Sequence, residues 1–345
     1  MTIDEQLTRL ELKAPYLIFL GTEPEKKHAK TGAGIAHWRP DLCVGQLRLP
    51  GCGVDLGLPD MTPAEAAAAG ARSFVWGVAG FGGLIPPEWT SNLFDAVEAG
   101  LDIVAGTHSS LRDVPGLADA AEKASVSLID VRKPPTNIPV GSGAKRSGRR
   151  LLTVGTECAV GKKYTALAIA KEMASRGIDS DFRASGQTGI MIAGSGIPID
   201  AVISDFISGA AEILSPANDA DHWDIIEGQG SLFHPAYAAV TLGLLHGSQP
   251  DVFIVCHDAS RQFVDGYPDF PLPDFQTLID QTIEVGKLTN ANICCAGFSI
   301  NTSSMSDNER QEYLQKTSAE TGLPCVDAVA TGVGPIVDHL AETFK

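Results

Sequence analysis

The sequence is poor in cationic side chains and lacks any long apolar run. Lys and Arg number 26 against 42 Asp and Glu, which gives a formal net charge of −16 at pH 7. Because a strongly acidic surface repels nucleic acid and anionic membranes, we expect neither as a partner. No segment approaches the roughly 18 consecutive apolar residues that a membrane helix requires. The partners should therefore be small molecules.

Paired cysteines are also missing. The seven cysteines are odd in number and show no C-x-x-C spacing. Several lie in apolar strand-like runs, as reduced and buried thiols do. Residues 1–9 are polar and carry acids, unlike a secretory signal. These features predict a cytoplasmic location, and 345 residues are enough for two domains.

The most informative segment is a glycine-rich turn near the middle of the chain, Gly155-Thr-Glu-Cys-Ala-Val-Gly161-Lys162-Lys163-Tyr-Thr165. An apolar run before it predicts a strand, and helical periodicity after it continues to Gly177. A strand, a glycine loop, Gly-Lys and a helix make the P-loop arrangement, in which main-chain N–H groups and a lysine hold phosphates. The candidate cofactor-binding residues here are Gly155, Thr156, Cys158, Ala159, Val160, Gly161, Lys162, Lys163, Tyr164 and Thr165.

Two departures from the P-loop motif bear on its chemistry. Five residues instead of four separate Gly155 from Gly161, and Lys163 stands where the motif has Ser or Thr. The missing hydroxyl is the one that ligates Mg²⁺, so this loop is suited to hold a diphosphate, not to cleave it. Two alternatives stay open: a plain turn between a strand and a helix, or Thr165 acting as the metal ligand instead.

The pattern of apolar segments predicts an α/β fold with two domains. Residues 134–148 are rich in Pro, Gly and Ser and suggest an interdomain linker. Alternating strand and helix patterns on either side favour a small Rossmann-like parallel-sheet domain over residues 1–140 and a P-loop-type three-layer α/β sandwich over residues 141–345. The cationic residues Lys145, Arg146, Arg149 and Arg150 form either a solvated part of the linker or a surface facing the cofactor.

The predicted elements are as follows. Strands are expected at residues 16–20, 73–79, 102–105, 127–131, 151–154, 224–226, 252–256, 293–298 and 325–328. Helices are expected at residues 63–70, 87–100, about 114–125, and from a capping box at residues 306–309 to just before Gly322.

Ligands of open parallel sheets bind at the carboxyl ends of the strands, so polar residues there are candidates for function. Glu227 follows one such strand and is either a general base or an acid that shapes its turn. His108 titrates near neutral pH and follows another. Asn301 could hydrogen-bond a base edge, and Arg261 could pair with a carboxylate. Residues 80–83, Gly-Phe-Gly-Gly, form a weaker phosphate-nest candidate.

Residues 200–212 predict one helix that is apolar except for a narrow polar stripe. The stripe contains Ser204, Asp205, Ser208, Gly209 and Glu212. A helix that is apolar nearly all round is buried, so the stripe should face a ligand cleft or a subunit interface, unless it is a thin solvated edge.

The longer motifs point to a family. The loop Gly-Thr-Glu-x-x-Val-Gly-Lys resembles that of dethiobiotin synthetase. Three further segments are Ala184-Ser-Gly-Gln-Thr-Gly-Ile-Met-Ile-Ala-Gly, Asp200-Ala-Val-x-x-Asp-Phe-x-x-Gly-Ala-x-Glu212 and Glu227-Gly-Gln-Gly-Ser-Leu. With these the chain more closely resembles a P-loop family long described as a domain of unknown function, which includes a D-glutamate N-acetyltransferase. The resemblance extends from about residue 10 to the end.

The resemblance implies transfer of an acetyl group from acetyl-CoA to the amine of D-glutamate, a step of D-amino acid catabolism, with no metal required. Glu227 or His108 would act as base, and N–H groups near residues 228–230 would polarise the thioester carbonyl. We also expect the protein to form a homo-oligomer, namely a homodimer. The candidate contacts to the acidic acceptor are Lys30, Arg183, Gln187, Thr188, Gln229 and Arg261.

Two other functions remain open at this stage. An ATP-dependent ligase or kinase of the dethiobiotin synthetase type would use Thr165 to bind Mg²⁺ and would hydrolyse nucleotide. A non-catalytic nucleotide-binding regulator would bind its ligand without turnover.

Overall fold

The structure is a computed structural model that describes residue 10 and residues 12–25, 28–78, 85–107 and 109–344. The chain divides into two compact units. One consists of Met1–Pro135 and Gln187–Ala201, and the other of Thr136–Gly186 and Val202–Lys345. Residues 187–201 pack with the first unit, although residues of the second unit precede and follow them along the chain. The division therefore differs from the single boundary expected at residue 140.

The first unit is built on five parallel strands: β1 Tyr16–Gly21, β2 Cys43–Arg48, β3 Ser73–Trp76, β4 Asp102–Ala105 and β5 Leu128–Asp130. Their order across the sheet is β2-β1-β3-β4-β5. The helices of its first segment are α1 Lys30–Trp38, α2 Pro63–Ala68, α3 Thr90–Glu98 and α4 Leu117–Ala124. Every residue of β1 is buried, as expected for the interior of a parallel sheet.

The second unit is built on six parallel strands: β6 Arg149–Gly155, β7 Ser180–Arg183, β8 Trp223–Ile226, β9 Val252–Asp258, β12 Cys294–Asn301 and β13 Cys325–Val326. The hairpin strands β10 Phe263–Val264 and β11 Tyr267–Pro271 are antiparallel and lie outside this sheet. The sheet order is β13-β12-β9-β6-β8-β7. The helices of this unit are α5 Lys162–Ser175, α7 Ile207–Leu214, α8 Ala238–Ser248, α9 Phe275–Gly286, α10 Asp307–Thr321 and α11 Gly334–Thr343.

The predicted α/β class with parallel sheets is confirmed, and several local predictions hold closely. Helix α10 begins with the expected capping box, in which Ser306 and Glu309 each accept a hydrogen bond from the other's main chain. It ends at Gly322, whose φ of 70° is left-handed and suits glycine. All seven cysteines are free thiols. Among the described residues, no helix is both long enough and apolar enough to span a membrane.

Several elements were missed, among them helices α8, α9 and α11, and for some of the others a reason is visible. Strands β2 and β7 lie at sheet edges and carry polar side chains, so they lack the apolar runs of the inner strands. Helix α1 contains two glycines, which weaken its helical signal. The hairpin of β10 and β11 contains two prolines, and all five residues of β11 are exposed.

The prediction of one helix over residues 200–212 is wrong. The segment begins with two short 3-10 turns, and helix α7 starts only at Ile207. Of its polar residues, Ser204 and Asp205 are exposed to solvent, as a thin solvated edge would be, whereas Ser208 and Glu212 make contacts within the unit. Ser208 donates to the Gly243 carbonyl at 3.1 Å, and Glu212 accepts hydrogen bonds from the main chain of residues 142 and 143 at 3.0 and 2.8 Å. Glu212 therefore holds the segment that leads into β6.

That segment is accordingly not a free linker. Arg150 is fully buried and donates to main-chain carbonyls that include those of Ser147, at 2.8 Å, and Pro216, at 3.0 Å. Arg146 donates to the Gly247 carbonyl at 2.7 Å. Both arginines lie before or at the start of β6, whereas the P-loop follows its end. The cofactor-facing alternative for this cationic run is therefore wrong, because its cations fix the opposite end of the sheet.

The closest contact of this packing gives a stability test. A Cβ atom added to Gly209 would lie 1.8 Å from the carbonyl oxygen of Pro139, which is main chain and cannot rotate away. We expect Gly209→Ala to lower the free energy of unfolding by about 1–3 kcal/mol, the usual cost of overpacking. Urea unfolding followed by circular dichroism measures it.

Gly334→Ala is the matched control, since the nearest atom that its Cβ would meet is a side-chain nitrogen of Arg176 at 3.3 Å, which can move. Equal stability of the Gly209→Ala variant and wild type would show that the segment does not pack tightly on α7.

Candidate functional site

The P-loop begins where β6 ends. Gly155 is the last residue of β6, and Gly161 with a φ of 105° precedes the first turn of α5. Ala159 also adopts a left-handed conformation, with φ of 54°. Left-handed residues within such a turn direct successive N–H groups toward one point, and the first N–H groups of α5 have no partner inside the helix. The predicted strand, loop and helix are thus present, with the geometry of an anion site.

Lys162 lies directly beneath this turn. Its side chain is 6% exposed, and its Nζ donates to the carbonyl oxygen of Glu157 at 2.7 Å. Burial lowers the pKa of the Lys162 ammonium. Glycines make room for it: a Cβ on Gly155 would lie 3.0 Å from the Lys162 Nζ, and one on Gly228 would overlap the Thr153 carbonyl at 1.6 Å. The lysine therefore lies between two strand ends that only glycine allows to approach.

Lys163, at the position of the Mg²⁺-binding hydroxyl, and Thr165, the alternative metal ligand, have different surroundings. Lys163 Nζ lies 4.7 Å from the ring centroid of Tyr164, on the first turn of α5. The Thr165 hydroxyl is buried and donates to Ser299 Oγ at 2.8 Å, while Cys256 Sγ lies 3.5 Å away. The hydroxyl thus joins the helix to β9 and β12 in the interior of the unit. This placement favours a structural role for Thr165.

A cavity of about 380 Å³ opens beside the P-loop. Val160, Tyr164, Ile300 and Val329 give it apolar walls, and Asn301 lies at its edge. Asn301 donates to Asp258 at 2.9 Å and accepts from the Ser303 N–H at 3.1 Å, so its amide is held in one orientation. An apolar cavity with a fixed amide next to a phosphate site suits a nucleoside. A larger hollow of about 440 Å³ lies along α10 and involves no P-loop residue.

Glu227 follows β8 and is buried, with 4% exposure. Its Oε2 accepts hydrogen bonds from the N–H groups of Ser185 and Gly186, each at 3.0 Å, and its carbonyl oxygen accepts one from the Ser185 hydroxyl. Gln229 donates to that same hydroxyl at 3.0 Å. The carboxylate is thus anchored to the loop after β7, which fixes its orientation and also fits the turn-shaping alternative.

The remaining acceptor candidates fall into separate places. Arg183 donates to Asp224 at 2.6 Å and pairs with Asp181 at 3.0 Å, which places its guanidinium beside the amino-terminal half of β8, away from the P-loop. This favours a structural role for Arg183. His108 and residues 80–83 lie outside the described residues.

Three candidates come together in the first unit. The segment after Gly186 forms α6, Gln187–Ala193, which packs on α1. Thr188 lies 3.1 Å from the Thr31 hydroxyl, next to the exposed Lys30. Gln187 donates to Asp200 at 2.8 Å. The fold thus brings Lys30, Gln187 and Thr188 to one neighbourhood that sequence spacing did not reveal.

A charged cluster around Glu157 was missed from the sequence. Glu157 is 1% exposed, and its carboxylate is hydrogen-bonded by Arg261 and lies 4.0 Å from His234 Nε2. Arg261 Nη1 also donates to the Cys158 carbonyl at 3.1 Å. Glu157 was visible inside the P-loop motif, but no spacing rule links it to a histidine so far along the chain.

Glu157, Cys158 and His234 offer ligand atoms within 4.8 Å of one another, a spacing that could suggest a metal site. The chemistry of the three groups does not fit one. Arg261 already pairs with the carboxylate, and burial raises the pKa of the Cys158 thiol. The Ala236 N–H donates to His234 Nδ1 at 3.1 Å, so a neutral ring carries its proton on the Nε2 that faces Glu157. The carboxylate is bound to Arg261, the thiol keeps its proton, and the histidine presents an N–H, so few lone pairs remain for a metal.

Comparison with known proteins identifies the family. Residues 139–337 match the model of a domain of unknown function described as the DUF1611_C P-loop domain, and residues 47–134 match the DUF1611_N Rossmann-like domain. The chain belongs to the DUF1611 family.

Relatives of this DUF1611 chain match it over nearly its whole length. A protein of Tritonibacter scottomollicae, named D-glutamate N-acetyltransferase, is 49% identical over 96% of this chain and 99% of its own. A protein of Pseudoalteromonas sp. with the same name is 47% identical over 96% and 100%. The crystal structure of a DUF1611 family protein from Anabaena variabilis is 32% identical with a TM-score of 0.84, over 96% of this chain and 100% of that one.

His257 makes the stability of the folded protein depend on pH. It is the penultimate residue of β9, the strand paired with β6, and its Nδ1 lies 2.9 Å from the Thr156 hydroxyl. Burial lowers the pKa of His257 below its ordinary value of 6.5. As the pH falls below 6.5, the unfolded chain gains a proton there that the folded chain does not. The stability contributed by the neutral ring is therefore present above that pH and is lost below it.

We expect the free energy of unfolding of wild type to fall more steeply between pH 7 and pH 5 than that of His257→Asn, by up to about 1.4 kcal/mol per pH unit. Asn can keep the bond to Thr156 but does not titrate. Urea unfolding at several pH values measures the difference. The exposed His37→Asn is the control, and parallel curves for wild type and His257→Asn would contradict the buried neutral ring.

Proposed function

We propose that this protein transfers the acetyl group of acetyl-CoA to the amine of D-glutamate, in D-amino acid catabolism. The observation that carries the proposal is the near full-length identity of 49% and 47% to two proteins named for this activity. Lys163 at the Mg²⁺-ligand position of the P-loop supports it, because CoA needs cations for its phosphates and no metal. A homo-oligomer acting on small molecules in the cytoplasm remains part of this proposal.

In this proposal the P-loop holds the pyrophosphate of CoA. The N–H groups at the start of α5 and the Lys162 ammonium donate to its oxygens. The adenosine lies in the neighbouring cavity, where Asn301 meets the edge of the base. The volume of about 380 Å³ and its apolar walls suit such a group. Acetyl-CoA serves as co-substrate, and no metal is required.

The acceptor requires cationic or donor groups for its carboxylates and a base for its ammonium. Lys30 with Thr188 and Gln187 offers a cation and two neutral polar groups in one neighbourhood. Glu227 is the proposed base, held in place by its two main-chain hydrogen bonds. The amine attacks the thioester carbonyl, and its protons pass to the base and to the departing CoA thiolate. Of the N–H groups of residues 228–230, that of Gly228 already donates to Thr153, so those of residues 229 and 230 stabilise the oxyanion.

The first test changes the lysine of the P-loop. We expect wild type to bind acetyl-CoA in the presence of EDTA, and Lys162→Ala to bind it about tenfold or more weakly, because a charge-assisted hydrogen bond is worth roughly 1.5–3 kcal/mol. Isothermal titration calorimetry measures the Kd, and a coupled thiol assay with D-glutamate measures turnover. The exposed Lys171→Ala, on the same helix, is the control.

Loss of acetyl-CoA binding in EDTA, or binding of ATP alone, would reject the acetyltransferase proposal and favour an ATP-dependent ligase or kinase. Binding without turnover of any amino acid would favour the regulator instead.

The second test concerns the base. We expect Glu227→Gln to keep the fold and the Kd of acetyl-CoA but to lower kcat by about 10²–10⁴, the usual value of a positioned base. The amide oxygen can still accept from residues 185 and 186, so geometry is preserved while proton-accepting capacity is lost. Activity should partly recover at high pH, where more of the amine is already neutral.

Glu172→Gln, on the outer side of α5, is the control for this test. Near-normal turnover of Glu227→Gln would move the base to His108, and a large drop in Tm would show that Glu227 is structural.

A further inference from the structure

Two cations beside the P-loop, Lys162 and Arg261, are bound to one residue of the loop, Glu157. Lys162 donates to its main-chain oxygen at 2.7 Å, and Arg261 pairs with its carboxylate. Arg261 also donates to the main chain of the loop, at the carbonyl oxygen of Cys158. Its guanidinium thus contacts the loop that forms the anion site. A diphosphate carries more negative charge than Lys162 alone can balance. Arg261 lies beside the same loop and could balance more of it.

We propose that Arg261 is a second phosphate-binding cation of the P-loop. Glu157 holds Arg261 and Lys162 while the site is empty, and both cations turn from it toward the phosphates when the ligand binds. The inference rests on the proposed function, because it takes the anion to be the pyrophosphate of a CoA ester. It reassigns Arg261 from the acceptor carboxylate, where sequence reasoning put it, to the cofactor.

The exposures of Arg261 and Glu157 allow Arg261 to exchange the carboxylate for a phosphate. The Arg261 side chain is 25% exposed, whereas that of Glu157 is 2% exposed. The guanidinium therefore closes the cluster on its solvent side, where an incoming phosphate meets it first. Rotation about its side-chain bonds can turn it without movement of a strand or a helix. Asp258 lies 3.9 Å from Nε of the same guanidinium.

His234 offsets part of the cost of turning Arg261 away from Glu157. Removing the partner of a buried carboxylate is costly unless another group compensates. His234 Nε2 lies 4.0 Å from Glu157 Oε1, and the Ala236 N–H bound to Nδ1 fixes the proton of the neutral ring on the side of Glu157. Rings of Tyr237 and Tyr267 pack on His234 at 4.5 and 5.4 Å between centroids. The histidine is therefore held in place beside Glu157, while the arginine can exchange its partner.

The experiment measures the Kd of acetyl-CoA by calorimetry in EDTA at several salt concentrations, and the KM of D-glutamate by turnover. We expect Arg261→Ala to raise the Kd about tenfold or more and to weaken its dependence on salt, with the KM of D-glutamate unchanged. We expect Glu157→Gln to lower the Kd severalfold, because a negative charge beside the phosphates is removed. Arg176→Ala, which breaks two ion pairs at the far end of α5, is the control.

A raised KM of D-glutamate with an unchanged Kd of acetyl-CoA in Arg261→Ala would overturn the inference and return Arg261 to the acceptor. If wild type does not bind acetyl-CoA, the proposed function fails first. Titration with inorganic pyrophosphate then still tests Arg261, since the inference requires that Arg261→Ala bind pyrophosphate more weakly than wild type.

Arg261→Ala leaves a buried carboxylate and could lower the Tm. The double variant Glu157→Gln with Arg261→Ala removes both charges and keeps the test decisive. We expect it to bind acetyl-CoA about tenfold or more weakly than Glu157→Gln alone, and equal binding by the two would overturn the inference.

Discussion

The candidate site depends on the position of β6 in its sheet. This strand hydrogen-bonds to β9 on one side and β8 on the other, all three parallel, so their carboxyl ends meet at one edge. The P-loop, the turn after β8 and the turn after β9 therefore converge. This pairing explains why Glu157, His234 and Arg261, more than 100 residues apart along the chain at the extremes, form one charged cluster.

The tight approach of these strand ends constrains their residues. Gly228 has no space for a Cβ beside the Thr153 carbonyl, and its N–H donates to the Thr153 hydroxyl at 2.9 Å. The Ser231 hydroxyl donates to the Thr156 carbonyl at 3.1 Å. Main chain thus lies against main chain at the base of the loop. The residues after β8 support the P-loop, and their polar character has a structural reason as well as the catalytic one we propose for Glu227.

The cations at the two edges of the sheet have different surroundings. In a chain of net charge −16, Arg146 and Arg150 are used at the amino-terminal end of the sheet, where they satisfy main-chain carbonyls. Lys162 and Arg261 lie at the opposite edge, beside the P-loop. The sequence showed Arg146, Arg150 and Lys162 as cations near one strand, but which end of that strand faces a ligand is a property of the folded sheet.

The sequence by itself determined the features that arise from local periodicity and turn chemistry. These are the α/β class, the inner strands, the strand–loop–helix order of the P-loop with Lys163 in place of a hydroxyl, and the capped ends of α10. Only the tertiary structure decided that residues 187–201 join the first unit, that the supposed linker packs on α7, and that Glu157 lies with His234 and Arg261. Those outcomes depend on contacts between residues distant in sequence, whose register is set by sheet pairing and close packing, and neither leaves a periodic signal in the chain.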